Sequence, residues 1–239
     1  MRVITNEKFI ARNARWGKWA SMAALIILAA GVYLTFARPD LVVLTFVALI
    51  VGFLLSQVGI YFSSRWAKPP RIDQQITKAL KGLGREYTLY HYSTPASHLL
   101  IGPAGIFLFI PRYQRGKITY RKGKWRQHGG PLLWYLRLFA QEGIGRPDLE
   151  IEAEVKAVRK AVEAILDDVE ELPPITPILV FTNPQAEVNA PDAPVPTLKI
   201  DELKKFLKPY LKSRKLTSEQ LKRLREAFEA SSEAEAEQA

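Results

Sequence analysis

The chain has 239 residues, a formal net charge of +10 at neutral pH and a mean hydropathy of −0.06, although 24% of its residues are charged. Its apolar residues must therefore be segregated along the sequence, and the length allows one ordinary domain plus an appendage. Cysteine is absent, which excludes disulfides and thiolate metal sites, and His91, His98 and His128 lack a metal-ligand spacing.

Residues 1–18 carry Arg2, Lys8, Arg12, Arg15 and Lys18 against the single acid Glu7, and read as a basic N-terminal segment. Residues 19–37 and 41–62 contain no charged side chain. A hydrocarbon core of about 30 Å takes roughly 20 apolar residues as a helix, so each run is expected to span a membrane. Arg38-Pro39-Asp40 leaves room only for a tight connection. A second span following at once, with no small-x-small cleavage site, argues against a secretory signal. The lack of a polar stripe argues against a buried hairpin of a soluble protein. Basic residues crowd the outer flanks, with Arg65, Lys68 and Arg71 on the far side, whereas the connection has Arg38 offset by Asp40. That bias predicts a two-span protein of the cell membrane with both termini and the main domain in the cytoplasm. No Asp, Glu, Lys, Arg or His lies within the spans, so the pair reads as an anchor and not a transport path.

Lys68-Pro69-Pro70-Arg71 is a stiff linker. A helix is expected from Ile72 to Leu83, with Ile76, Ala79, Leu80 and Leu83 on one face, ending at Gly84. Glu86–Tyr92 alternates as a strand does. The apolar runs His98–Ile101 and Ile106–Ile110 flank the turn Gly102-Pro103-Ala104-Gly105 and predict consecutive antiparallel strands covered on both faces.

Past Pro111, Arg112, Arg115, Lys117, Arg121, Lys122, Lys124 and Arg126 follow with no acid among them. Lys122-Gly123 can close a two-residue hairpin. In that register Tyr120 faces Trp125, and Lys117, Arg121, Lys124 and Arg126 share the other side. Like charges opposed on a strand pair are unfavourable by some tenths of a kcal/mol. Such a face is either fully solvated or holds a polyanion. Arg112, Arg115, Lys117, Arg121, Lys124 and Arg126 are the candidate phosphate contacts, and Tyr113 or Trp125 the candidate stacking face for a single strand.

Residues 131–141 read as a short apolar helix, packed in the core or docked on a membrane interface. Asp148 opens a long helix whose stripe Ile151, Val155, Val158, Val162, Ile165 and Val169 suits packing on the sheet. A homo-oligomer through residues 148–169 is the second use of that stripe. Glu150, Glu152 and Glu154 in its first turns suit the helix dipole. Ile178–Phe181 reads as a buried strand and residues 183–196 as a loop. Asp201 is the expected cap of a helix from Leu203 to Leu211. Thr217 and Gln220 form a capping box for the last helix, which gives way to an acidic tail from Ser231.

The stretch SHLLIGPAGIFLFIPRYQRGKI, residues 97–118, resembles the nuclease-related domain called NERD, whose order is acid-His-apolar run-Gly-Pro-x-Gly-apolar run-Glu-x-Lys followed by Gly-Lys-Ile. HLLIGPAGIFLFI and RGKI carry the likeness. It covers roughly residues 72–211, with strand-then-TNP at Ile178–Pro184 and PVPTLKIDEL as further points of similarity. The resemblance implies an α/β fold with a restriction-endonuclease-like mixed sheet flanked by helices, occupying residues 68–212 behind the transmembrane hairpin. Residues 217–239 would be a separate C-terminal helix and tail.

The same resemblance implies where a metal-dependent nuclease site would lie. Ser97 stands at the position of its metal-binding Asp, Ile110 at that of its Glu and Arg112 at that of its Lys, while Asp73 lies nearest the acid of its first helix. Hard cations demand oxygen ligands, and an arginine cannot serve as a base. The expectation is a membrane-anchored domain with no catalytic residue and no metal cofactor, bound to the lipid bilayer and to DNA or RNA. Two alternatives stand beside it. One is an active Mg²⁺-dependent nuclease whose acids come from Glu86, Glu142 or the Glu150–Glu154 cluster. The other is a membrane scaffold whose ribbon lies on anionic headgroups.

Overall fold

In the computed structural model, which describes residues 1–129, 143–167 and 172–238, the charge-free runs lie in two antiparallel helices, α1 (Glu7–Ala37) and α2 (Val42–Phe62). A short turn at Pro39–Leu41 joins them, and Arg38 pairs with Asp40 there at 3.1 Å. One wide turn, Ser63–Ala67, continues α2. Helix α1 starts well before the charge-free run, so Lys8, Arg12, Arg15 and Lys18 belong to the helix and not to a separate basic segment.

Small residues form the seam of this hairpin. Gly17, Ala24 and Gly31 are buried on α1, and Thr45, Gly52 and Gly59 on α2, each seven residues from the next. A Cβ on Gly59 would come within 2.9 Å of the Ser21 backbone nitrogen, and one on Gly52 within 2.7 Å of Leu28 Cγ. Neither position has room for a side chain, so the backbones approach closely. A seven-residue repeat keeps a straight seam only if the pair coils left-handed. Outward-facing Leu25, Ile26, Tyr33, Phe36, Val43 and Phe46 are exposed. Both helices are long and apolar enough to cross a membrane, and only 11% of each apolar window is buried. A core helix of a soluble domain buries most of its apolar surface; this pair does the reverse.

The second unit comprises Met1–Asn6 together with the chain from Ile72 onward. Its main sheet has six strands in the order β1 (Arg2–Thr5), β2 (Thr88–His91), β3 (His98–Gly102), β4 (Gly105–Arg112), β7 (Ile175–Phe181) and β9 (Thr197–Lys199). The sheet is mixed. β2, β3 and β4 form the expected antiparallel meander, with Leu99 opposite Leu108, whereas β4–β7, β7–β9 and β1–β2 pair in parallel. Residues 2–5 are thus the edge strand of this sheet, with Arg2 beside Thr88 and Thr5 beside His91. A smaller sheet has the order β6 (Lys124–His128), β5 (Gly116–Arg121), β8 (Ala186–Asn189). Strand β8 lies in the stretch expected to be a loop and pairs in parallel with β5.

Both faces of the main sheet are covered. Helix α3 (Ile72–Ala79) and the short α5 (Leu203–Leu207) pack with Leu89, Leu100, Phe107, Phe109, Ile178 and Val180 on one face. Helices α4 (Pro147–Ile165) and α6 (Ser218–Gln238) pack with Leu99, Ile101, Leu108, Ile110, Leu179 and Phe181 on the other. The α4 stripe Ile151, Val158 and Val162 is buried in that core, with Val155 and Ile165 packed against it. The sheet therefore uses the surface that a homo-oligomer through residues 148–169 would need; Val169 lies outside the described residues, as do 131–141.

Two helix ends differ from expectation. Glu202, and not Asp201, precedes α5 and makes no side-chain cap to it; its carboxylate instead closes the short turn Ile200–Glu202 by accepting from the Lys199 backbone N–H at 3.0 Å. The capping box holds, since Gln220 N–H donates to Thr217 Oγ1 (3.2 Å) and Thr217 N–H to Gln220 Oε1 (2.9 Å). Helix α6 continues through the acidic segment to Gln238. It is no appendage: Leu221, Leu224 and Phe228 sit in the core, and Phe228 meets Tyr90 edge-on at 6.0 Å. Arg223 donates to the Ile165 carbonyl at 2.6 Å, and Arg225 to that of Glu86. Leu224→Ala is expected to cost about 2–5 kcal/mol, as for a fully buried leucine. Denaturant unfolding of the full chain in detergent checks it, since a detached C-terminal helix would leave the transition of the sheet where it was.

Candidate nucleic-acid interface

The ribbon of β5 and β6 forms in the expected register. Arg121 pairs with Lys124, Tyr120 with Trp125 and Thr119 with Arg126. Lys122 and Gly123 carry positive φ angles of 50° and 72° at the turn, the geometry that matches strand twist in a two-residue hairpin. Ile118 is buried in the core, and the Tyr120 and Trp125 rings meet on its side at 4.9 Å. Lys117, Arg121, Lys124 and Arg126 are exposed on the opposite side. Trp125 belongs to the packed side, which leaves Tyr113, also exposed, as the stacking candidate.

The third strand alters the charge of this face. In the parallel β5–β8 register Glu187 lies beside Lys117, and Asn189 beside Thr119. The unbalanced cations are therefore those nearest the hairpin tip: Arg121, Lys122, Lys124 and Arg126. None of the four pairs with a carboxylate among the described residues. Arg115, just before β5, is half-buried, and its carbonyl accepts from Gln127 Nε2 at 2.9 Å.

Arg112 stands apart from the other five candidates. It ends β4 and pairs with Glu150 of α4 at 2.5 Å, with 14% of its side chain exposed. One turn along α4, Glu154 accepts a hydrogen bond from Ser97 Oγ at 3.2 Å. Two of the four positions marked by the NERD resemblance, Ser97 and Arg112, are therefore met by glutamates from α4, four residues apart on one helix face. Burial pushes the Glu154 carboxyl above its ordinary value, the neighbouring Glu150 charge adds to this, and the Ser97 and Arg112 contacts oppose it.

These residues do not fit a divalent metal. Arg112 places a fixed cation against Glu150, where a metal would need a free carboxylate. Ile110 is fully buried in the apolar core. Asp73 is carried by α3, the helix that covers the other face of the sheet. Among the described residues, no three acidic or histidine side chains converge as a metal site. Glu142 lies outside the described residues.

On the α3 side, His91 and His98 are buried opposite one another across β2 and β3. Their Nδ1 atoms share one hydrogen at 2.8 Å, so one ring donates and the other accepts. Thr77 of α3 bonds the Nε2 of His91 at 2.9 Å, and the Tyr92 ring packs on His98 at 4.8 Å. The pair ties α3 to the meander as a polar link between packed layers. No protein-family model, curated protein or solved structure matches the chain.

The raised Glu154 value has a testable sign. The folded state holds this proton more tightly than the unfolded chain, so its contribution to stability is greatest at low pH. It is lost as pH rises from about 4.5 through the folded value. Glu154→Gln keeps an acceptor for Ser97 and removes the charge. The variant is expected to be more stable than the parent at neutral pH, the gap closing below about pH 4.5. Denaturant unfolding at the two pH values measures it.

Proposed function

We propose that the chain is a membrane-anchored, nuclease-related domain that binds nucleic acid through its basic ribbon and does not cut it. The observation that carries this reading is the hairpin tip, where Arg121, Lys122, Lys124 and Arg126 are gathered on an exposed turn and its flanking strands with no described carboxylate to neutralise them. Arg121 and Lys124 are direct cross-strand neighbours, an arrangement unfavourable by some tenths of a kcal/mol that an anion lying across it would relieve. A phosphate backbone is such an anion. Inertness rests on the α4 cluster: Arg112 supplies at Glu150 the positive charge that a metal ion would otherwise bring.

The anchor reading rests on the hairpin and on chain connectivity. Strand β1 lies before α1 and β2 lies after α2, yet the two are hydrogen-bonded neighbours in one sheet. If each helix crosses the bilayer, the chain crosses twice and returns to the side it left. The basic flank Lys8, Arg12, Arg15, Lys18, Arg65 and Lys68, against the balanced Arg38–Asp40 connection, supports the cytoplasm as that side.

One observation favours a second reading. Glu150 and Glu154 do reach the Ser97–Arg112 end of the strands, as a nuclease with relocated acids requires. One experiment separates the two. The whole chain is used, because a fragment starting at the linker would lose β1. Detergent-solubilised protein is titrated with single- and double-stranded DNA and RNA at low and high salt, with Mg²⁺ or Mn²⁺ present, and the samples are run on a gel. The expected result is salt-sensitive binding of intact nucleic acid, with a log–log salt slope that falls by about one for each phosphate contact removed. Arg121→Glu/Lys124→Glu should weaken binding at least tenfold without moving the unfolding transition. Binding that survives this change places the site elsewhere. Metal-dependent cleavage lost in Glu154→Ala selects the second reading.

A further inference from the structure

One face of α1 passes from cationic to aromatic to apolar along its length. Lys8, Arg12, Arg15, Trp19, Met22 and Ile26 follow at spacings of four, three, four, three and four, so they share one side of the helix. All six are exposed. The seam residues Ile10, Gly17, Ala24 and Gly31 lie half a turn away, against the opposite side. The gradient therefore faces outward from the hairpin.

Charge at this end of the hairpin is unbalanced. The single acid of α1, Glu7, pairs with Arg71 at 3.3 Å. No described carboxylate pairs with Arg12, Arg15 or Lys18. The Arg12 guanidinium lies over the Phe9 ring at 5.6 Å, and Arg65 lies over Trp66 at 5.5 Å, which fixes cations among aromatic groups. At the other end Arg38 is cancelled by Asp40, and no tryptophan is present there.

Dimensions fit within one leaflet. From Trp19 to Ile26 the helix rises about 10 Å, inside the roughly 15 Å of half a hydrocarbon core, and Arg15 lies about 6 Å further out. Trp19 falls at the polar–apolar boundary, where an amphipathic ring is favoured.

We infer that this face of α1 is a binding site for anionic phospholipid. Arg12 and Arg15 hold the headgroup, Trp19 lies at the glycerol level, and Met22 and Ile26 contact the acyl chain. The inference rests on the anchor reading and adds to it a lipid class and a leaflet. It is separate from the ribbon, since none of its residues belongs to β5 or β6.

The test uses the full chain reconstituted into vesicles of phosphatidylcholine mixed equally with phosphatidylglycerol. Alkaline carbonate extraction reports insertion, and native mass spectrometry of protein released from the vesicles reports which lipid it retains. The expected result is insertion with retained phosphatidylglycerol. Arg12→Gln/Arg15→Gln should stay inserted and lose preference by roughly fivefold per residue, while Arg121→Glu/Lys124→Glu should keep it. Inserted protein without preference, or preference unchanged in the Arg12/Arg15 variant, overturns the lipid site and leaves the anchor. Preference lost in the ribbon variant assigns it to the ribbon and likewise overturns the site. Failure of the parent chain to resist extraction overturns the anchor and the lipid site together.

Discussion

The pairing of β1 with β2 is the constraint on which the rest of the architecture depends. A four-residue strand is weak on its own, and here it is held by a parallel ladder in register from Arg2–Thr88 to Thr5–His91. Beyond the ladder, the Asn6 backbone N–H donates to the His91 carbonyl at 3.0 Å, and Arg2 pairs with Glu229 of α6 at 2.7 Å. These contacts make the segment before the helical hairpin an integral part of the folded unit after it. The hairpin is consequently an insertion between two neighbouring strands of a sheet, joined to it at both ends.

That arrangement separates two kinds of surface within one chain. In the α/β unit, apolar side chains are packed on both faces of the sheet, and the buried His91 and His98 are linked by hydrogen bonds to each other and to Thr77. In the hairpin, small residues face inward and large apolar ones outward. The first pattern is that of folding driven by water; the second is found in a pair of helices long and apolar enough to cross a membrane. Each unit also carries a cluster of exposed basic residues, at the ribbon tip in one and at the start of α1 in the other.

Elements written in local sequence were readable without coordinates. The charge-free runs, the β3–β4 pair around Gly102-Pro103, the Lys122-Gly123 hairpin and the Thr217–Gln220 capping box depend on residues within a few positions of each other. What escaped depends on distant partners. Strand β1 is four residues bearing an arginine, and nothing in Arg2–Thr5 signals a partner at residue 88. Strand β8 lies in a Pro- and Asn-rich stretch, and only its pairing with β5 makes it a strand and brings Glu187 beside Lys117. The α4 glutamates were readable as helix-dipole acids and as a group able to reach the nuclease-type positions. Their separate assignments, Glu150 to Arg112 and Glu154 to Ser97, required the helix to be docked.

The β1–β2 ladder also sets an order of events during synthesis. The edge strand is made first, but its partner emerges only after both apolar helices have been translated. At about 5–20 residues per second, the strand waits roughly 4–17 s for residue 88. Throughout that interval its backbone donors and acceptors have no sheet to join, and Ile4 has no core to pack against. Residues 2–5 are therefore a free strand edge, open to pairing with whatever is near, until the sheet they belong to has been made. They are translated before the hairpin and find their place only after it.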